Sequence, residues 1–179
     1  PILDEINLAI LVMVNPDGRD NGTRGNTNGT DLNRDHMKLL EPEGKAMHRA
    51  FDNVHPSVTV DMHEFGGVGS VIFQVAAPQN PATHHDIIFA SYNLETVVID
   101  SISEEWGIGS VTNYPPTTSS QDSSIHRNHF AVHCSTSLLF ESAVSEEYSE
   151  RVKIQAWAAL TVIDEVTENP DYYLEARES

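Results

Sequence analysis

Along this chain, short stretches in which apolar residues run together or alternate with polar ones are separated by longer stretches whose apolar residues recur every three to four positions. The first pattern belongs to β-strands and the second to amphipathic helices, so their alternation predicts an α/β layer architecture with helices covering a sheet. Strands are expected at residues 7–14, 57–63, 71–75, 109–113 and 136–141. A helix is expected at 43–54, where Ala46, Met47, Ala50, Phe51 and Val54 share a face and Pro42 suits the first turn. A longer helix at 84–106 aligns Ile87, Ser91, Leu94, Val98 and Ile102, and Gly107 is placed to end it. The last helix, 145–168, puts Tyr148, Val152, Ala156, Ala159, Ile163 and Val166 on its apolar face. Ser145 serves as its N-cap, and Glu146 and Glu147 sit where the helix dipole favours them. Proline and serine content makes 114–124 a surface loop. The remainder reads as one domain over 1–170 followed by a loosely held tail at 171–179. "NGT" occurs at Asn21 and Asn28, where Asn-Gly is read as a turn signal.

Composition narrows the function classes. Of 179 residues, 39% are apolar, enough for a single buried core. Ten basic against 27 acidic residues give a formal net charge of −17, a field that repels phosphate backbones and anionic leaflets. Neither nucleic acid nor membrane is therefore expected as a partner. No apolar run approaches the ~20 residues of a membrane span, "INLAILVMV" being the longest candidate, so the chain reads as soluble. Its one cysteine, Cys134, excludes an internal disulfide and is expected to be a buried thiol.

Candidate chemistry collects at the predicted strand ends, because loops converge on the crevice beyond the carboxyl edge of such a sheet. "VTVDMHEF" delivers His63, "LLFES" delivers Glu141, and "ILVMVNPDG" opens into the turn-rich "RGNTNGTDLNRD" with Arg24 and Arg34. A neutral imidazole at a strand end can hold zinc, and a carboxylate emerging from an apolar strand is a general base whose pKa burial raises. Taken singly, each has an ordinary structural reading as a satisfied histidine or a salt-bridge partner. Together, one imidazole, one carboxylate and two guanidinium groups complement an anionic substrate attacked by metal-bound water. The histidine groups His84 with His85, and His126, His129 with His133, read as polar-face residues.

The ordered motifs "NPDG" (15–18), Arg24, "DLNRD" (31–35), "DMH" (61–63) and "LLFES" (138–142) resemble the signatures of the zinc carboxypeptidases of the pancreatic carboxypeptidase A type. The resemblance implies a mixed, mainly parallel sheet covered by helices. It implies zinc as cofactor, His63 as one zinc ligand, Glu141 as the catalytic glutamate and Arg24 as the group that polarises the scissile carbonyl. Asn33 and Arg34 match the pair that holds a substrate's terminal carboxylate, and Asp31 matches a carboxylate that orients a further histidine ligand. The implied substrate is a peptide with a free C-terminal carboxylate. The family's other zinc ligands lie in an HxxE motif upstream of "NPDG", and no HxxE occurs in this sequence. The chain is accordingly expected to be the C-terminal part of such a domain, without its N-terminal strands, to hold zinc poorly alone, and to have the missing segment as a companion chain. The family's tyrosine upstream of the glutamate has Tyr114 as its nearest counterpart.

In the family, the region before the glutamate strand sets side-chain preference. Here it reads "SSIHRNHFAVHC", which makes His126, Arg127 or His129 pocket candidates favouring an acidic or polar terminal residue, against the alternative of a solvated basic patch. Two other functions compete: an N-acyl amino acid deacylase of the succinylglutamate desuccinylase and aspartoacylase type, and a non-catalytic carboxylate-binding remnant.

Overall fold

A computed structural model describes residues 4–67, 69–114 and 118–179. Helix α1 (Pro16–Asn21) and α2 (Pro42–Val54) precede β1 (Val58–Phe65) and β2 (Phe73–Ala76). The long α3 (His85–Trp106), β3 (Val111–Asn113), α4 (His126–Val132), β4 (Thr136–Ala143), α5 (Tyr148–Glu168) and α6 (Pro170–Glu178) follow. The strands form one sheet in the order β1-β4-β2-β3, parallel between β1 and β4 and between β2 and β3, antiparallel between β2 and β4. The mixed, mainly parallel sheet is as expected.

β4 is buried along its whole length, and the three consecutive apolar residues Leu138, Leu139 and Phe140 at its centre fit burial on both faces. On one face of the sheet Leu138 and Phe140 pack with Leu94, Val98 and Ile102 of α3, Ile154 and Ala158 of α5, and Tyr173 of α6. The expected face of α3 is the buried one: Ile87, Ser91, Leu94, Val98 and Ile102 all lie inside, and Gly107 caps the helix at φ 95°. α2 begins at Pro42 as expected, with Gly44 and Met47 buried.

Several expectations are corrected. Residues 7–14 form no strand, and Ile10 and Val12 are 71% and 87% exposed; the segment pairs with no described strand, and β-propensity without a ladder partner leaves the backbone to water. α5 buries Ile154, Ala158 and Val162, whereas Tyr148 and Val152 face solvent. Its sequence is apolar on nearly every side, so packing against α3 chooses the face. The helix also starts later than expected, at Tyr148, because Glu146 N–H donates to Ala143 O in a turn leaving β4, and Ser145 caps nothing. The segment after Pro170 is no loose tail but α6, anchored by the buried Tyr173. In the 114–124 loop, residues 115–117 lie outside the described residues, and Ser120 is buried. Cys134 is exposed, at φ 62°, in the left-handed turn that ends α4.

Candidate functional site

The turn-rich segment is held by its own amides and carboxylates. Glu41 accepts hydrogen bonds from Asn26 Nδ2, Asn28 Nδ2 and Thr30 Oγ1, each at 2.8 Å, which keep its carboxyl below the usual range. Asn26 Oδ1 accepts the backbone N–H groups of Asn28 and Thr30 at 3.1 Å. Asn15 caps α1 through Gly18 N–H (3.0 Å) and ties it to Arg24 O (3.1 Å). Gly18 is required there, because a Cβ would lie 2.3 Å from Asn15 Nδ2 and 2.6 Å from Thr23 O. This folded loop presents Arg24, Asp31, Asn33 and Arg34 from one short stretch.

The strand register does the rest. β1 and β4 pair so that His63 lies directly opposite Glu141, and Asp61 stands on the same face of β1, two residues before His63. His63 Nε2 is 2.9 Å from Asp61 Oδ2. Asn33 Nδ2 reaches both, at 3.0 Å from Asp61 Oδ2 and 3.1 Å from His63 Nε2, while Asn33 Oδ1 accepts the backbone N–H of His126 at 2.7 Å. The amide expected to hold a substrate carboxylate is thus engaged in orienting the histidine. Asp31 accepts from Arg24 Nε at 2.7 Å and caps the turn Leu32–Arg34 through Asn33 N–H. Arg34 is exposed, with Nη1 on Asn33 O at 2.6 Å.

Glu141 is 9% exposed, and its Oε2 is buried with no hydrogen-bond partner among the described residues. Burial pushes its pKa up to about 7 against the opposing charges of His63, Arg24 and Arg127. Burial works against charge on His63 as well, but Asp61 outweighs it and raises the imidazole's pKa. Asp61, half-buried, is held well below the usual carboxylate range by the imidazoles of His126 and His63. Arg127 is buried, donates from Nη2 to Ser120 O (3.4 Å) and lies 5.7 Å over the Tyr114 ring. The sequence pattern therefore brings together His63, Glu141, Arg24, Asn33 and Arg127. Asp61, the first residue of "DMH", is a partner of His63 beyond the residues expected from the sequence, and its period-two spacing is the signal for it.

Other histidines correct the polar-face reading. His129 is buried, stacked 5.5 Å from His36 and tilted 4.7 Å from His48 between ring centroids, and His36 Nδ1 is 3.1 Å from His48 Nε2. Burial and mutual repulsion lower His36 to about 3 and His129 to about 4, so these two imidazoles are neutral at pH 7, and burial lowers His48 as well. His84, His85 and His133 are exposed, as expected.

Comparison with known proteins gives the architecture a name. No protein-family profile matches the chain. Carboxypeptidase 2 of Trichophyton rubrum is 33% identical over 64 residues, 36% of this chain and 12% of that protein. A metallo-carboxypeptidase of Pseudomonas aeruginosa, solved in complex with (2-guanidinoethylmercapto)succinic acid, superposes with a TM-score of 0.67 at 16% identity, over 89% of this chain and 45% of that one. The chain has a metallocarboxypeptidase-like fold. A metallo-carboxypeptidase of Burkholderia cenocepacia agrees, with a TM-score of 0.60 at 17% identity over 89% of this chain and 44% of that one. The metallocarboxypeptidase-like chain thus spans under half the length of these two solved structures.

The fold implies zinc, and the described residues can be tested for it. A catalytic zinc takes three protein ligands. At the His63 site one imidazole stands beside Asp61, and no third ligand atom among the described residues completes a set. Among the described residues, the one group of three whose ligand atoms lie within 4.8 Å of one another is His84, His85 and Asp86, on the surface at the start of α3. The residues around His63 do not make a zinc site by themselves.

Proposed function

We propose that this chain carries the substrate-anchoring and proton-handling part of a metallocarboxypeptidase site, acting on peptides with a free C-terminal carboxylate. The reading rests on one observation above the rest: the register that sets His63 against a buried Glu141 whose Oε2 has no partner, within the fields of Arg24 and Arg127. Arg24 and Arg34 are the exposed cations of the anchoring loop, and a guanidinium fork matches a carboxylate in geometry and charge. Asn33, instead of donating to substrate, keeps Asp61 and His63 in place. His126 supports the loop through its backbone N–H, and Arg127 supplies positive charge behind Glu141. With a pKa near 7, Glu141 can take a proton from an attacking water and return it to the leaving amine at neutral pH. In a complete site His63 would hold one position of a zinc ion, which would supply activation of that water, and Asp31 would turn from Arg24 to support a ligand from a further segment.

The (2-guanidinoethylmercapto)succinic acid of the Pseudomonas aeruginosa complex is a dicarboxylate, which agrees with carboxylate recognition on this fold. The test is calorimetric titration of the chain with a blocked dipeptide as its free acid and as its C-terminal amide. The free acid is expected to bind about tenfold tighter, and Arg34→Ala to abolish the difference; this is the scale of one charge-assisted hydrogen bond. Equal binding of acid and amide overturns the proposal. An N-acyl amino acid that binds better than the dipeptide points to the deacylase reading. The unassembled zinc set favours, as a second reading, a carboxylate-binding remnant, which predicts binding without hydrolysis even after the missing ligands are restored.

A further inference from the structure

The loop after β2 ends in three consecutive side chains with metal-ligand chemistry. His84 is the N-cap of α3, His85 and Asp86 are its first two residues, and all three side chains reach solvent. One ligand atom from each lies within 4.8 Å of the others. His84 Nδ1 is 3.6 Å from Asp86 Oδ2, and His85 Nε2 is 3.1 Å from Asp86 Oδ1. Both separations exceed the ~2.7–2.9 Å of a charge-assisted hydrogen bond, and they bracket ~3.4 Å, the edge of a tetrahedron with bonds of ~2.0–2.1 Å. Successive residues on a helix do not face each other. It is the non-helical backbone of His84, φ −59° and ψ 144°, that lets its ring lie 4.3 Å from that of His85 between centroids.

A fourth group arrives from α6. That helix packs along α3 with Tyr173 and Ala176 buried, and Asn93 Nδ2 of α3 donates to Tyr172 OH at 2.7 Å. The two helices run in opposite directions, so that while Tyr172 meets Asn93, Ser179 meets His84, with Ser179 Oγ 3.1 Å from His84 Nδ1. Ser179 Oγ donates its proton to Ala176 O at 2.8 Å, and what it offers to His84 or to an ion is an oxygen lone pair.

We propose that His84, His85 and Asp86 bind a divalent transition-metal ion of the zinc class, with Ser179 Oγ in the fourth position, and that the ion clips the end of α6 to the start of α3. Two imidazoles with a carboxylate and a hydroxyl suit zinc, nickel or copper, whereas calcium and magnesium take oxygen ligands and find too few here. The carboxylate of Asp86 and the formal net charge of −17 on the chain favour a cation. The role is structural, because a catalytic zinc keeps an open position and protein groups close this one. Its ligands come from α3 and α6 and their ends, whereas His63 and Glu141 belong to β1 and β4, so the clip is separate from the proposed peptidase site and does not depend on it.

The test is calorimetric titration of the chain with zinc chloride, set beside thermal unfolding and amide hydrogen exchange with and without zinc. One zinc ion per chain is expected, and no binding of calcium at the same concentration. Zinc at about one hundred times its dissociation constant is expected to raise Tm by about 5–10 °C and to slow exchange in α6 and at the start of α3. His84→Ala with His85→Ala is expected to abolish these effects, and Ser179→Ala to weaken binding several-fold and reduce the protection of α6. Zinc binding that survives the double variant, or calcium bound as well as zinc, overturns the site. Binding that leaves exchange in α6 unchanged, or that is indifferent to Ser179→Ala, overturns the clip. Cobalt(II) chloride reads the geometry in the unaltered chain, without a variant. The intense visible absorption of a four-coordinate ion supports the proposal, and the faint absorption of hydrated six-coordinate cobalt overturns it.

Discussion

Glu141→Gln isolates the energetic consequence of burying a carboxyl group. The wild-type carboxyl has its pKa raised from 4.5 to about 7, chiefly by burial. A carboxyl with a raised folded-state pKa favours folding fully below its unfolded pKa, and that contribution is lost as pH rises through the folded value. At ~1.4 kcal/mol per pKa unit, ionising Glu141 in place costs the native state about 3 kcal/mol above pH 8. Glutamine keeps the shape and removes the charge. The variant should therefore match the parent within about 1 kcal/mol at pH 4 and be about 3 kcal/mol more stable at pH 8, the gap opening between pH 4.5 and 7. Urea unfolding of both proteins across that range measures it, and the difference between the two curves cancels groups that titrate alike in both, among them His36 and His129. A variant less stable than the parent at pH 8, or a gap that does not change with pH, refutes the reasoning. Such a result would mean that Arg24, Arg127 and His63 compensate the buried charge fully. Gain of stability with loss of function is what an active carboxylate should show.

Leu94→Ala, at a fully buried position between α3 and the sheet, should cost about 3 kcal/mol in urea unfolding through lost transfer energy and a cavity. Arg24→Ala should change stability by less than about 1 kcal/mol, since its pair with Asp31 is largely exposed, yet weaken binding of a free C-terminal carboxylate several-fold in the calorimetric assay. Zinc offered to the isolated chain should bind weakly and be insensitive to His63→Ala, while His84→Ala with His85→Ala removes it; a His63-dependent uptake by metal analysis would contradict the ligand count.

Local patterns were enough for a good part of the molecule. Period 3.6 located α3 and its buried face, because "IIFASYNLETVVIDSI" has one apolar stripe and the sheet has one place for it. Proline at 42 and glycine at 107 marked helix ends through φ preferences that no neighbour can override. The motif residues His63, Glu141, Arg24 and Asn33 were legible because each sits at a strand end or in a turn whose chemistry is local.

What needed the folded chain was everything settled between elements. "INLAILVMV" has the composition of a strand, but strand formation requires a hydrogen-bonding neighbour, and here it has none among the described residues. α5 is apolar on too many sides for periodicity to choose its face, and α6 becomes ordered through Tyr173 reaching a core formed by α3 and β4. The meeting of His63 with Glu141 is a matter of parallel register, and that of Glu95 with Ala77 spans 18 residues. Hydrogen bonds and burial join residues distant along the chain, so a linear pattern carries the candidates while pairing decides which of them share a site.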